Sequence, residues 1–154
     1  MFREMRRKGQ QLYTDECADI LNRGTSGVLA VSGDDGYPYA VPLSYIYDGE
    51  KIYFHCALTG HKIDAIREND KVSFCVIDAD DVVPEEFRTR YRSVIVFGRV
   101  RILENEKEKY SAIKKLSVKY SPCQEGTEQE IERYWDKLCV LELKIEHMTG
   151  KAAK

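Results

Sequence analysis

Apolar and polar positions change period several times along the chain, and each change marks a new element. From Thr14, with Asp15 and Glu16 behind it, Cys17, Ile20 and Leu21 recur at helical spacing until Gly24. That pattern predicts a helix over 14–23 with Thr14 as its N-cap. The apolar run at 27–32 stops at Gly33-Asp34-Asp35-Gly36, and an extended, aromatic-rich stretch resumes over 37–47. Together these read as a β-hairpin. Asp48-Gly49 is a second turn pair, and beyond it residues 51–57 alternate, with Ile52, Phe54 and Cys56 on one face and Tyr53, His55 and Ala57 on the other. Gly60-His61-Lys62 then opens a short helix in which Ile63 and Ile66 share a face and Asn69 is the terminator.

Residues 71–77 read as a strand, the acidic stretch 78–86 with Pro84 as a surface loop, and 88–103 as a long strand with a bulge at Gly98. Tyr110, Ile113, Leu116 and Tyr120 lie at helical spacing, stopped by Ser121-Pro122. Thr127 and Glu130 read as a capping box for a further helix presenting Ile131, Tyr134 and Trp135. A last strand over 138–147 alternates, with Leu141, Leu143 and Ile145 inward and Glu142, Lys144 and Glu146 outward. Six short strands, mostly in hairpins, with short helices between them, predict an α+β fold dominated by a split antiparallel β-barrel. One domain spans 1–154: an N-terminal arm at 1–11, the helix, barrel strands within 27–103, helices within 105–135 and the final strand.

Composition narrows the function. A formal charge of −2 removes the broad positive field that nucleic-acid binding needs, so no nucleic-acid partner is expected. No apolar run approaches the roughly 20 residues of a membrane span, which suggests a cytoplasmic protein without a membrane partner. The five cysteines, Cys17, Cys56, Cys75, Cys123 and Cys139, never form a CxxC pair and read as buried free thiols. No His/Cys cluster has ligand spacing, so no metal is expected. Hydrolase, dinucleotide and P-loop signatures are absent from the sequence.

Several residues are candidates for chemistry. At Gly60-His61-Lys62 a helix start offers unpaired N–H groups, a glycine that lets an anion approach and a lysine charge, which together would make a phosphate pocket. An ordinary helix start with a solvated lysine is the competing reading. His55 lies on a strand face that is either a ligand wall or solvent. Arg88, Arg90 and Arg92 project to one face, either to meet an anionic ligand or to be neutralised by the acidic stretch before them; Ser93 on the other face could donate a hydroxyl to a phosphate. Pro42 cannot donate to a ladder, so 41–44 must sit at an edge or bulge with backbone groups left for a flat heterocycle.

Taken in order, Met5-Arg6-Arg7, Gly27-Val28-Leu29-Ala30, Gly36-Tyr37-Pro38-Tyr39-Ala40-Val41-Pro42-Leu43, Ile52-Tyr53-Phe54-His55-Cys56-Ala57, Gly60-His61-Lys62, Tyr91-Arg92-Ser93-Val94-Ile95, Phe97-Gly98 and Thr149-Gly150-Lys151 have a familiar spacing. The chain resembles the pyridoxamine 5'-phosphate oxidase-related flavin-binding proteins, in the branch that includes the 5-nitroimidazole resistance proteins. The resemblance implies a split-barrel homodimer with FMN at the subunit interface. It would place the flavin ring along Val41, Pro42, Leu43 and Ser44, the phosphate at Gly60, His61 and Lys62, and further contacts at Arg92, Ser93 and Val94. His55 and Ala57 are expected beside the ring, His55 as a hydrogen-bond or proton donor to substrate. FAD, a deazaflavin or haem are the alternative cofactors. The oxidase activity itself is not expected, because the additional C-terminal residues for the substrate phosphate are not found. A reductase is implied instead, taking electrons from NAD(P)H or another donor to a nitro or quinone-like small molecule; the alternative is a non-catalytic flavin carrier.

Overall fold

The computed structural model describes residues 1–153. Seven strands and four α-helices occur among these residues: α1 Thr14–Arg23, β1 Gly27–Ser32, β2 Pro38–Leu43, β3 Ile46–Tyr47, β4 Lys51–Ala57, α2 His61–Glu68, β5 Lys71–Val83, β6 Arg88–Ile102, α3 Glu106–Tyr120, α4 Thr127–Tyr134 and β7 Leu138–Ala152. The strands form one antiparallel sheet in the order β2-β1-β5-β6-β7-β4-β3. The fold is α+β, a split barrel whose sheet curls without closing.

Its two edges, β2 and β3, are consecutive in the chain and joined by Ser44 and Tyr45 alone. The 37–47 segment is therefore not one strand: it leaves one edge of the sheet and enters the other. Pro42 lies on the edge strand β2, opposite Val28, where a missing N–H costs no ladder bond. At the crossing Tyr45 is completely buried, and its backbone is bonded by side chains from the end of α3. The Tyr45 N–H donates to the Tyr120 hydroxyl at 2.8 Å, and the Lys119 ammonium donates to the Tyr45 carbonyl at 2.9 Å and also to that of Gly24. The Tyr120 hydroxyl is left to donate to Thr25 O at 2.6 Å. Burial raises the Tyr45 pKa, which keeps its hydroxyl a donor to Leu21 O at 2.7 Å.

Inside the barrel the alternating positions meet as expected: Leu29, Phe54, Phe74, Val76, Val94, Val96, Leu141 and Leu143 form one core. Phe74 takes Tyr45 and Phe54 edge-on at 5.0 Å between centroids. Helix α1 closes the end where β1 begins, with Ile20 and Leu21 fully buried and Arg23 paired to Asp78 at 2.9 Å. Helix α2 closes the other end through Ile63, Ala65 and Ile66, and Asn69 bonds Ser32 there. Gly98 is a close-approach position: the register slips between Phe97 and Gly98, and a Cβ at Gly98 would lie 2.1 Å from the Lys144 carbonyl.

Several sequence expectations change. Thr14 is the first helical residue, not the cap; the Tyr13 N–H donates to the Glu16 carboxylate instead. Thr127 likewise opens α4 behind Gly126, whose left-handed backbone makes the turn, and its hydroxyl donates to Gln124 O. The acidic stretch is not a loop through 86, because β5, past a bulge at Asp78, continues to Val83 and pairs with β6 as far as Arg88, leaving only residues 84–87 as the turn, with Phe87 left-handed. Strand β7 runs on to Ala152, past the expected end at 147. Glu142 is buried although its neighbours alternate with it, since α3 covers that face; Arg101 donates to it at 2.9 Å and Lys51 stands 3.5 Å away. Cys123 is exposed, unlike the buried thiols Cys17 and Cys139.

Tyr120→Phe removes the hydroxyl that accepts from the buried Tyr45 N–H. An unpaired buried amide costs about 1–3 kcal/mol, which for a domain of this size lowers Tm by roughly 2–12 °C. Thermal denaturation followed by circular dichroism checks this, and an unchanged Tm would show that the crossing is held by something else.

Candidate functional site

The split in the barrel opens beside a cleft. Helices α3 and α4 pack against the outer face of β3, β4 and β7 through a second small core of Tyr53, Leu103, Ala112, Ile113, Ile131 and Val140. Where they diverge from the sheet, a cavity of about 400 Å³ remains. Its apolar walls are Ile113, Leu116, Ile131 and Leu138, and its polar groups are Ser44, His55, Ser117, Tyr120, Ser121, Glu130 and Tyr134. Apolar walls with a few convergent polar groups are what a flat organic ligand needs.

His55 enters this cleft because alternation along β4 sends it, with Tyr53 and Ala57, to the face opposite Phe54. Its side chain reaches solvent, yet the protein around it disfavours the charged form and lowers its pKa from 6.5. At neutral pH the imidazole is therefore uncharged and suited to donating or accepting a hydrogen bond. Ser44 lines the same cavity from the crossing segment, while Ala57 lies two residues beyond His55 at the exposed end of β4. Val41 and Leu43 are half-buried against the core from the edge strand, and Pro42 between them is exposed.

Gly60 stands at the start of α2 with φ +144°, a conformation that L side chains rarely adopt, and the space where a Cβ would sit is empty. Two residues, Leu58 and Thr59, separate it from the exposed end of β4. The first amides of α2 and the half-buried Lys62 follow it, so one short segment carries open backbone, a helix dipole and an ammonium. His61 has a different part. Its Nε2 accepts the Asp34 N–H at 3.3 Å and its ring lies 4.2 Å from that of Tyr39, so it ties α2 to the β1–β2 hairpin.

The structure thus brings Ser44 and His55 together in one cleft and sets Ala57 and Gly60–Lys62 on the chain that leaves it. Arg92, Ser93 and Val94 are placed apart, in the middle of β6. Arg92 stands 3.5 Å from Glu16 and 3.4 Å from Asp78, beside α1. Val94 is fully buried and paired with Val76 on one side and Gly150 on the other, so within one chain it has no ligand-facing surface. Arg88 and Arg90 both pair with Glu86, which favours the neutralised reading of that row. Sequence reasoning missed Tyr120, Glu130 and Tyr134. Only their helical spacing was legible, and spacing does not say which sheet a helix will cover.

The architecture is thus a split barrel with a cleft at the split and, on the chain that leaves β4, a helix start that carries Gly60 and Lys62. Residues 13–152 match the family model for pyridoxamine 5'-phosphate oxidase, and the chain belongs to that family. A solved structure from Bacteroides thetaiotaomicron, described as a candidate 5-nitroimidazole antibiotic resistance protein, is 21% identical, with 92% of this chain and 86% of that one covered at a TM-score of 0.79. A FAD-binding protein from Mesorhizobium loti is 25% identical over 94% and 97% of the two chains, at a TM-score of 0.70. A flavocytochrome from Azotobacter vinelandii is 19% identical over 99% and 73%, at 0.81. No curated protein matches the sequence.

The His55 environment has a measurable consequence. Its folded pKa is depressed, so the unfolded chain takes a proton first as pH falls; the stability tied to neutral His55 is whole above pH 6.5 and is lost as pH drops through the folded value. NMR titration of the ring protons should place His55 below 6.5, and His55→Gln should flatten the fall in stability on the acid side of that value. A folded pKa at or above it would contradict the desolvated setting.

Proposed function

We propose that this protein is a flavin-dependent oxidoreductase, with FMN the favoured cofactor and a nitro or quinone-like small molecule the acceptor. The observation that carries the reading is the pairing of an organic-ligand cleft, holding Ser44 and His55, with the open Gly60 and Lys62 on the same stretch of chain. Family membership and the flavin-binding descriptions of two structural neighbours support it. When bound, a flavin supplies two-electron redox chemistry and the protein supplies position and electrostatics. Lys62 and the first amides of α2 would hold the phosphate. The exposed backbone around Pro42 and the edge at Ser44 would align the ring. Uncharged His55 would donate a hydrogen bond to an acceptor molecule and orient it, with the apolar walls of Ile113, Leu116 and Ile131 excluding water. NAD(P)H is the electron donor we favour.

The same reading includes a homodimer. Among the described residues, the outer face of β1, β5 and β6 meets the N-terminal segment at Phe2, which stacks on Phe97 at 5.5 Å, and at Gln10, which accepts the Tyr91 hydroxyl at 2.6 Å, while much of its apolar row stays open. Register puts Val28, Cys75 and Ile95 in one row, Ala30, Ser73 and Phe97 in the next, and Ile77 opposite Ser93. Ile77 is 65% exposed, Ile95 41% and Val28 39%. A contiguous apolar face of this kind is a partner surface. Arg92 and Ser93 lie on its strand, which is how a second subunit would bring them to a flavin.

Flavin titration monitored by fluorescence tests the cofactor. Wild type should bind FMN, and Lys62→Ala should bind it about 10- to 150-fold more weakly, as expected for loss of a charge-assisted contact of about 1.5–3 kcal/mol. The loaded protein should bleach with NADPH and recover its colour with a nitroaromatic. No flavin binding would overturn the reading; binding without bleaching would leave a carrier in its place.

Light scattering should report twice the mass of one chain. Ile95→Lys should shift it towards a single chain and make Tm insensitive to protein concentration, because a charge in an obligate apolar interface is left without partners. A wild-type protein of single-chain mass at micromolar concentration would remove the dimer.

A further inference from the structure

Two of the free thiols meet. Cys56 near the end of β4 and Cys139 near the start of β7 are direct partners across the antiparallel ladder, and so lie on the same face of the sheet. Opposed residues in such a ladder have Cα atoms about 4.5 or 5.5 Å apart, inside the roughly 4.4–6.8 Å that a disulfide spans. Cys139 is 5% exposed, while Cys56 is only half-buried at the rim of the core, which gives a small oxidant a way in. The other three cysteines have no such partner: Cys75 pairs with Val28 and Ile95, Cys17 is on α1, and Cys123 is on the turn before α4.

We propose that Cys56 and Cys139 are a modification site, a dithiol that hydrogen peroxide converts into a cross-strand disulfide and a thiol reductant restores. Contact with Cys56 and the positive charge of Lys109, Arg67 and Lys62 lower the Cys139 pKa. The same contact and burial raise that of Cys56. Cys139 is thus the thiolate that attacks the peroxide: its sulfur gains one oxygen, the O–O bond breaks and hydroxide leaves. Cys56 then attacks the sulfenic sulfur, the S–S bond forms and water leaves with the Cys56 proton. In sum two thiols and one peroxide give one disulfide and two waters. Cys56 lies four residues before Gly60, so the link would fix the root of the segment that leads to α2. The chemistry needs no bound cofactor, and it stands or falls independently of the flavin reading.

The test uses the full chain with exposed Cys123 replaced by serine, which leaves four of its five cysteines. A stoichiometric addition of hydrogen peroxide, followed by denaturation and alkylation, should lower the alkylatable thiols from four to two, with a mass loss of two hydrogens. Peptide mapping should find the Cys56–Cys139 link, and dithiothreitol should restore all four. Cys56→Ser and Cys139→Ser should each abolish the disulfide and its loss of two hydrogens. Since the map is read on a chain with both cysteines intact, the result does not depend on how either serine variant folds. Cysteines 56 and 139 remaining alkylatable, or oxidising to sulfinic acid without a link, would overturn the proposal.

Discussion

The fold turns on one constraint: the chain must pass from one sheet edge to the other within two residues, Ser44 and Tyr45, where no strand lies alongside to bond the backbone. A buried amide without a partner is expensive. Helix α3 resolves this by ending at that point, so that Lys119 and Tyr120 bond the Tyr45 and Gly24 carbonyls and the Tyr45 N–H. Burial lowers the Lys119 pKa, the cost of bringing an ammonium to those carbonyls. Once α3 is anchored there, its earlier turns lie over β4 and β7, and α4 folds back beside it. The cleft follows: it is the space left where a helix pinned at the split cannot also follow the curl of the sheet.

That geometry explains what was legible in the sequence. Period-two alternation in β4 and β6 is imposed by a core on one side, so Phe54, Val94 and Val96 could be read inward from residue type alone. Pro42 announced an edge for a reason as local as its missing N–H. Glu142 could not be read correctly, because its burial depends on α3 arriving over β7 and on Arg101 and Lys51 converging from β6 and β4. The acidic arm failed for a similar reason: Asp80 and Asp81 are poor strand formers, yet they pair with Tyr91 and Arg90 because β6 is there to complete the ladder.

The site divides along the same line. Gly60 was legible because its signal is local, a glycine before a helix start and a lysine, and the structure gives it a backbone conformation suited to glycine. His61 carries the same local signal but is spent on Asp34 and Tyr39, contacts that no spacing rule contains. Tyr120 joins both levels: it bonds the backbone of the crossing and forms part of the cleft wall, so stability and ligand space share a side chain.

The crossing also connects the cleft to the apolar face. Pro42 stands opposite Val28, whose side of the sheet is that face, and Ser44, two residues on, lines the cavity. Val41, Pro42 and Leu43 pair with Leu29, Val28 and Gly27 along β1, so the ladder fixes the margin of that face, and only past Leu43 does the chain depend on α3 for its bonds. In a barrel that closed fully, a continuous ladder would hold Ser44 and Tyr45 as well. The split gives up those ladder bonds; α3 replaces them at Tyr45 and leaves Ser44 facing the cleft.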